Sequence, residues 1–133
     1  MERFLGGYSS ALYAVMRVVV GLLFACHGAQ KLFGVFGGMG DGSAAPLLSL
    51  MGLAGVIEFF GGLLIAAGLL AGYAAFVASG QMAAAYFMGH FPRGFWPIEN
   101  QGELAVVYCF VFLYIASRGA GAWSADAAIS RAK

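Results

Sequence analysis

Arg17 and Glu58 each sit inside an apolar run of the kind that crosses a bilayer. Arg17 lies within Tyr13-Ala14-Val15-Met16-Arg17-Val18-Val19-Val20-Gly21-Leu22-Leu23-Phe24, and Glu58 within Gly52-Leu53-Ala54-Gly55-Val56-Ile57-Glu58-Phe59-Phe60-Gly61-Gly62-Leu63-Leu64. A charge at the centre of a spanning helix costs roughly 2.5–3.5 kcal/mol on the lenient insertion scale, so such charges face a partner, a cavity or a functional site. The chain must therefore fold so that both side chains leave the lipid. With opposite charges on consecutive segments, the expectation is that Arg17 and Glu58 meet.

Composition supports that reading. The chain has 133 residues, of which 62% are hydrophobic and 10% charged, and its mean hydropathy is +0.86. Soluble domains average about 25% charged residues, so this is an integral membrane protein, and its length allows one domain, residues 1–133. A net charge of +1 gives no case for nucleic acid. Cys26 and Cys109 are far apart with no Cys-x-x-Cys spacing. That pattern supports neither a disulfide framework, a zinc site nor a thioredoxin-like motif, and two structural thiols are the expectation over a redox pair. The first apolar stretch is too long for a cleaved leader and carries Arg17, His27 and Lys31, so it reads as a retained helix.

A helix needs about 20 residues to span the hydrocarbon core. Four segments are predicted to do so: about 12–33, 47–70, 73–91 and 103–117. The predicted class is all-α, an integral membrane four-helix transmembrane bundle. Glycine-rich sequence from Gly34 to Ser43 separates the first two segments, and Pro46 suits the start of the second. Ala71-Gly72 is a tight turn. Pro92 to Gly102, with two prolines and two glycines, breaks regular structure before the fourth. Small-residue pairs four apart, Gly68/Gly72, Ala67/Ala71 and Gly80/Ala84, are candidates for close helix approach. Four spans put both ends on one side. Arg3, Arg118, Arg131 and Lys133 lie there against Lys31 and Arg93 opposite, so the positive-inside rule places both termini in the cytoplasm. Tyr8, Tyr73, Trp96 and Trp123 fall at the expected interfaces, as aromatic belts do.

At about 1.5 Å per residue, Arg17 and Glu58 both fall near the midplane. Gln81 on the third segment reaches a similar level, and Tyr108 on the fourth lies somewhat nearer the outer face. His27, Lys31, His90, Arg93, Glu99, Asn100 and Glu103 gather at the outer end. Together they predict a polar pocket that opens outward, formed by Arg17, His27, Lys31, Glu58, Gln81, His90, Asn100, Glu103 and Tyr108. Each member also has a plain structural reading: a charge pair that locks two helices, a satisfied interior histidine, a basic rim. The two histidines with Glu103 carry no recognised metal-ligand spacing, so no metal site is assigned, and no phosphate-binding glycine loop is present.

The chain resembles the DoxX family of small four-helix bacterial membrane proteins. The resemblance rests on Arg17 with Gly21 and Phe24, then His27-Gly28-Ala29-Gln30-Lys31-Leu32-Phe33-Gly34. It continues through Glu58-Phe59-Phe60-Gly61-Gly62 with Gly68-Leu69, Asn100-Gln101-Gly102-Glu103-Leu104-Ala105 with Tyr108, and Gly121-Ala122-Trp123-Ser124-Ala125-Asp126. Gln101 stands where the family more often has Gly, and Ala120 where it often has Pro. The resemblance implies a bundle in the bacterial inner membrane, crossing several times. It also implies association with redox systems, since founding members are described as membrane subunits of a thiosulfate:quinone oxidoreductase.

Three functions remain open. One is a redox-linked membrane subunit binding a quinone or another amphipathic small molecule. Arg17, His27, Gln81 and Tyr108 would then donate hydrogen bonds, Glu58 and Glu103 would carry protons, and electrons would come from a partner protein, because the sequence shows no electron carrier. The second is a non-catalytic accessory subunit of a larger membrane complex. The third is a small proton-coupled transporter, for which a midplane carboxylate is the usual coupling element. Whether the chain is itself an enzyme is undecided by its residues.

Overall fold

A computed structural model describes residues 1–132. Helix α1 (Glu2–Leu5) passes through a 3-10 turn at Gly6–Tyr8 into α2 (Ser9–Phe33), so helical backbone starts about ten residues before the predicted boundary. Helix α3 (Leu50–Ala67) follows a loop, and α4 (Ala71–Ala85) runs on into a π-helical turn at Tyr86–His90. Helix α5 (Pro97–Asn100) is a single turn, α6 (Glu103–Arg118) is the last long helix, and α7 (Ala125–Arg131) closes the described chain. Among the described residues the regular structure is all helical.

Local chemistry sets the boundaries. Gly34 in the left-handed region ends α2, as glycine does at helix C-termini. Ser49 rather than Pro46 begins α3: its Oγ accepts from the Gly52 N–H at 3.0 Å, an N-cap. Pro46 sits one turn earlier, where its carbonyl accepts from the Ser49 hydroxyl. Gly68 terminates α3 with a left-handed φ of 70°, its N–H and that of Leu69 returning to Ile65 O and Leu64 O. The second segment therefore stops short of the expected Leu70.

Two helix pairs form the bundle. α2 and α3 approach most closely at glycines: a Cβ on Gly62 would stand 2.6 Å from Ala25 N, one on Gly21 would stand 2.7 Å from Ala66 N, and one on Gly28 would overlap the backbone of Phe59. α4 packs on α6 through a stripe of Ala71, Ala75, Ala78 and Met82, all buried and spaced three or four residues apart, which is one helical face. Gly80 and Ala84, expected at an interface, are exposed. Between the pairs lies an aromatic layer. Phe24 of α2 meets Phe112 and Tyr108 of α6 with ring centroids 4.6 and 5.5 Å apart, and Tyr108 stacks on Phe112. Tyr8, Tyr73, Trp96 and Trp123 are all exposed, and Glu2–Phe33 and Leu50–Ala67 are each long and apolar enough to cross a membrane.

Candidate functional site

The glycine contacts fix the register of α2 against α3, and that register separates the two charges expected to meet. Gly21 lies beside Gly62 and Ala66, Gly28 beside Phe59, and Gly55 beside Lys31 and Leu32. Arg17 therefore faces the C-terminal end of α3, while Glu58 faces α2 between Gly28 and Lys31. Eleven residues of α2, or roughly 16 Å of rise, lie between Arg17 and Gly28. The expected Arg17–Glu58 pair does not form. Depth was counted along each helix separately, whereas the packing sets Arg17 level with Ile65 and Ala66 at the end of α3 rather than with Glu58 at its centre.

Each charge finds another partner. Arg17, fully buried, donates to Ile65 O and Ala66 O at 2.6 Å and to Trp123 O at 2.8 Å. Ile65 O already accepts from the Gly68 N–H, while Ala66 O is one of the carbonyls a helix end leaves without an intrahelical donor, and a cation there also complements the helix dipole. Asp126 strengthens this end: its carboxylate accepts from Leu70 N and its own N–H donates to Gly68 O. Arg17 is thus a clasp that ties α2, the α3–α4 turn and the segment before α7 together, remote from the other candidate residues.

Glu58 is the centre of a second group. Lys31 Nζ donates to Glu58 Oε2 at 2.5 Å, and Gln81 Nε2 donates to Glu58 Oε1 at 2.7 Å. One carboxylate therefore joins α2, α3 and α4. Because Nε2 must face the carboxylate, the amide orientation is fixed, and Gln81 Oε1 is left buried with no donor. These three side chains line a cavity of about 560 Å³, together with His27, His90 and Tyr108. Tyr108 meets His27 edge-on with ring centroids 6.3 Å apart. The rest of the wall is largely apolar and includes Phe24, Met82 and Leu104.

Six of the nine residues predicted for the pocket thus come together: His27, Lys31, Glu58, Gln81, His90 and Tyr108. Arg17, Asn100 and Glu103 do not line it. Asn100 is buried and shapes the loop instead, donating to Gly94 O at 2.7 Å and accepting from Gly102 N at 2.8 Å. Glu103 is exposed in the first turn of α6, where the helix dipole favours it. His90 stands at the rim, its Nδ1 3.0 Å from Arg93 Nη2 and 3.1 Å from Asn100 O. Sequence reasoning missed Leu50, Met51, Met88, Gly89 and Gln101 in the wall. All but Gln101 have no polar chemistry to signal them, and Met88 and Gly89 reach the cavity through a π-helical turn that no periodicity announces. Cys26 is exposed and Cys109 is partly buried against Ser79, both as free thiols. Cys26 is therefore not the buried structural thiol expected. Among the described residues no group of three or more His, Cys, Asp and Glu side chains is placed to hold a metal ion.

With this geometry in view, comparison with known proteins is decisive about kinship. The sequence profile of DoxX matches residues 12–91, more than half of the chain. The chain belongs to the DoxX family. It is also similar to an uncharacterized protein of Haemophilus influenzae, 40% identical over 122 residues that make up 90% of this chain and 91% of that one. No solved structure matches. DoxX is a membrane family, so the exposed apolar faces of this bundle sit in a lipid bilayer. The DoxX match contains five of the six cavity residues named above, with Tyr108 beyond it.

Proposed function

We propose that this DoxX protein is the membrane subunit of a redox system and binds an amphipathic small molecule, a quinone being the favoured chemistry, in the cavity around Glu58. The observation that carries this reading is the coexistence, on one wall, of a buried Glu58 held by the partly buried Lys31 and Gln81 with a largely apolar cavity of about 560 Å³. Ligand sites typically enclose roughly 300–1,000 Å³ and combine apolar walls with a few polar groups. The donor set fits a quinoid head. Lys31 has N–H donors beyond the one given to Glu58, and the Tyr108 hydroxyl and the His27 ring line the same space. Gln81 Oε1 supplies an acceptor for the hydroxyl of the reduced form. Electrons would come from a partner protein. The proposed setting is the bacterial inner membrane, crossed four times, with both termini in the cytoplasm.

The alternative is an accessory subunit of a larger complex, supported by the same ion pair acting only as a lock between α2 and α3. Mass spectrometry of the protein purified gently from its native membrane separates the two. Stoichiometric quinone that is lost in Tyr108→Phe and Gln81→Leu variants is the expected result. A large assembly with no bound small molecule would favour the accessory role.

A further inference from the structure

The way into the cavity is a property of the helices around it. α3 and α4 meet at the turn Gly68–Leu70 and flank the cavity at their far ends, where the first residues of α3 face the last of α4. Leu50 and Met51 of α3, and Ala84, Met88 and Gly89 of α4 and its π-helical turn, line the cavity and are also exposed. Residues that are both wall and outer surface mark a mouth; Gln101 and Leu104 at the start of α6 are also wall and exposed, so the α3–α4 gap is one of two such places. The α3–α4 gap carries no charged or hydrogen-bonding side chain on either lip, and it lies on the apolar outside of a bundle that sits in lipid. The interior set is placed oppositely: Glu58 is only 3% exposed and lies about 12 Å along α3 from Leu50 by helical rise. A π-helical turn inserts an extra residue and often occurs at functional sites; here it supplies the α4 side of the lip. A Cβ at Gly89 would meet nothing within 4 Å, so the lip has room for a larger side chain.

The geometry points to lateral loading: the cavity takes a lipid-borne amphiphile from the bilayer through the gap between α3 and α4, its head donating a hydrogen bond to Gln81 Oε1 and its alkyl tail lying between the lips. This rests on the binding role proposed above and adds the route and the hydrogen-bond polarity of the head. A donor on the head matches Gln81 Oε1, a buried acceptor without a donor, while the remaining Lys31 N–H groups are free for an oxygen of the same head. A tail fits the apolar α3–α4 lips, whereas the polar edge of the cavity lies at His90 and Gln101.

The test uses the full chain in phospholipid vesicles with a hydroquinone whose decyl tail carries a diazirine, followed by photolysis and peptide mapping. The expected result is tail labelling concentrated on Leu50, Met51, Ala84 and Met88, and competed away by excess unlabelled decyl hydroquinone. Gly89→Leu and Ala84→Phe, which fill the gap from the outside, are expected to cut that labelling at least tenfold. Unchanged helical content and melting temperature in these variants show that the fold survives. The dimethyl ether of the same probe, which has no O–H to donate, is expected to label at least tenfold less. Competable labelling elsewhere, with the lips unlabelled, overturns lateral loading and leaves the binding role standing. Equal labelling by the ether overturns the hydrogen-bond assignment alone. No competable labelling of the wild-type protein overturns both the route and the binding role.

Discussion

Glu58 shows how a buried charge is made tolerable in this protein. It is held by two donors from two other helices, Lys31 and Gln81, and removing one strands it. Lys31→Met is expected to destabilise the protein by about 3 kcal/mol, the low end for a broken buried pair, because Lys31 keeps some exposure. Replacing both partners, as in Lys31→Met with Glu58→Met, is expected to restore most of that loss, since apolar replacements of whole buried pairs are often neutral. Unfolding midpoints in one detergent for the two single variants and the double variant measure the coupling. Additive losses would show that Lys31 and Glu58 do not act as a pair. At this scale the sequence was informative about which residues matter and misleading about whom they touch. Arg17 and Glu58 announced themselves as charges in apolar runs, and the rule that such charges are partnered holds for both. Their partners were illegible because backbone carbonyls, which satisfy Arg17, leave no mark in a sequence, and because Lys31 looked like an interfacial residue.

Helix contacts here are decided by where a missing side chain lets two backbones touch. Among glycines of similar sequence context, Gly28 faces the Phe59 backbone while Gly80 faces open space. Gly28→Ala is expected to cost roughly 1–3 kcal/mol by overpacking, more if α2 and α3 must separate, and to disturb the cavity because Lys31 and Glu58 would part. Gly80→Ala is expected to be neutral or to stabilise by up to about 1 kcal/mol, through the better helix propensity of alanine. Thermal unfolding of the two variants side by side checks the contrast; equal effects would mean that the α2–α3 register is wrong. The sequence rule of small residues four apart selected Gly68 and Ala71, which are packed, but also Gly80 and Ala84, which face outward. Spacing identifies a face but not which face is inside, and several faces of this chain are small and apolar. The loop before α6 was likewise legible as irregular but not in detail. Gln101 adopts a left-handed φ of 60° where the family more often has glycine, and Asn100 fixes the loop from within.

Over the whole molecule, the all-helical class and membrane character follow from composition, since a chain with few charges and long apolar runs has few other ways to satisfy its backbone. The polar groups divide between the two ends of the bundle. One end holds the Arg17 clasp, the tight α3–α4 turn and α7; the other holds the longer loops and the cavity. The clasp end holds Arg17, Arg118 over the Tyr13 ring, and α7 with Arg131, and the positive-inside rule counts basic residues near the membrane ends of helices. If that rule governs here, the clasp faces the cytoplasm and the cavity end faces outward, with Ser43 in the loop at the cavity end and Ser130 in α7 at the clasp end. Both are exposed. In a background lacking Cys26 and Cys109, Ser43→Cys is expected to react with a membrane-impermeant thiol reagent in intact cells whose outer barrier has been opened. Ser130→Cys is expected to react only after the inner membrane is permeabilised. The reverse pattern would turn the protein over, and labelling of both from outside would mean that α3, α4 and α6, the three long helices between Ser43 and Ser130, do not each cross the membrane. Orientation bears on binding: with the cavity end outward, a molecule held beside Glu58 and His27 would lie in the outer part of the membrane, with the aromatic packing of Phe24, Tyr108 and Phe112 at the base of its cavity.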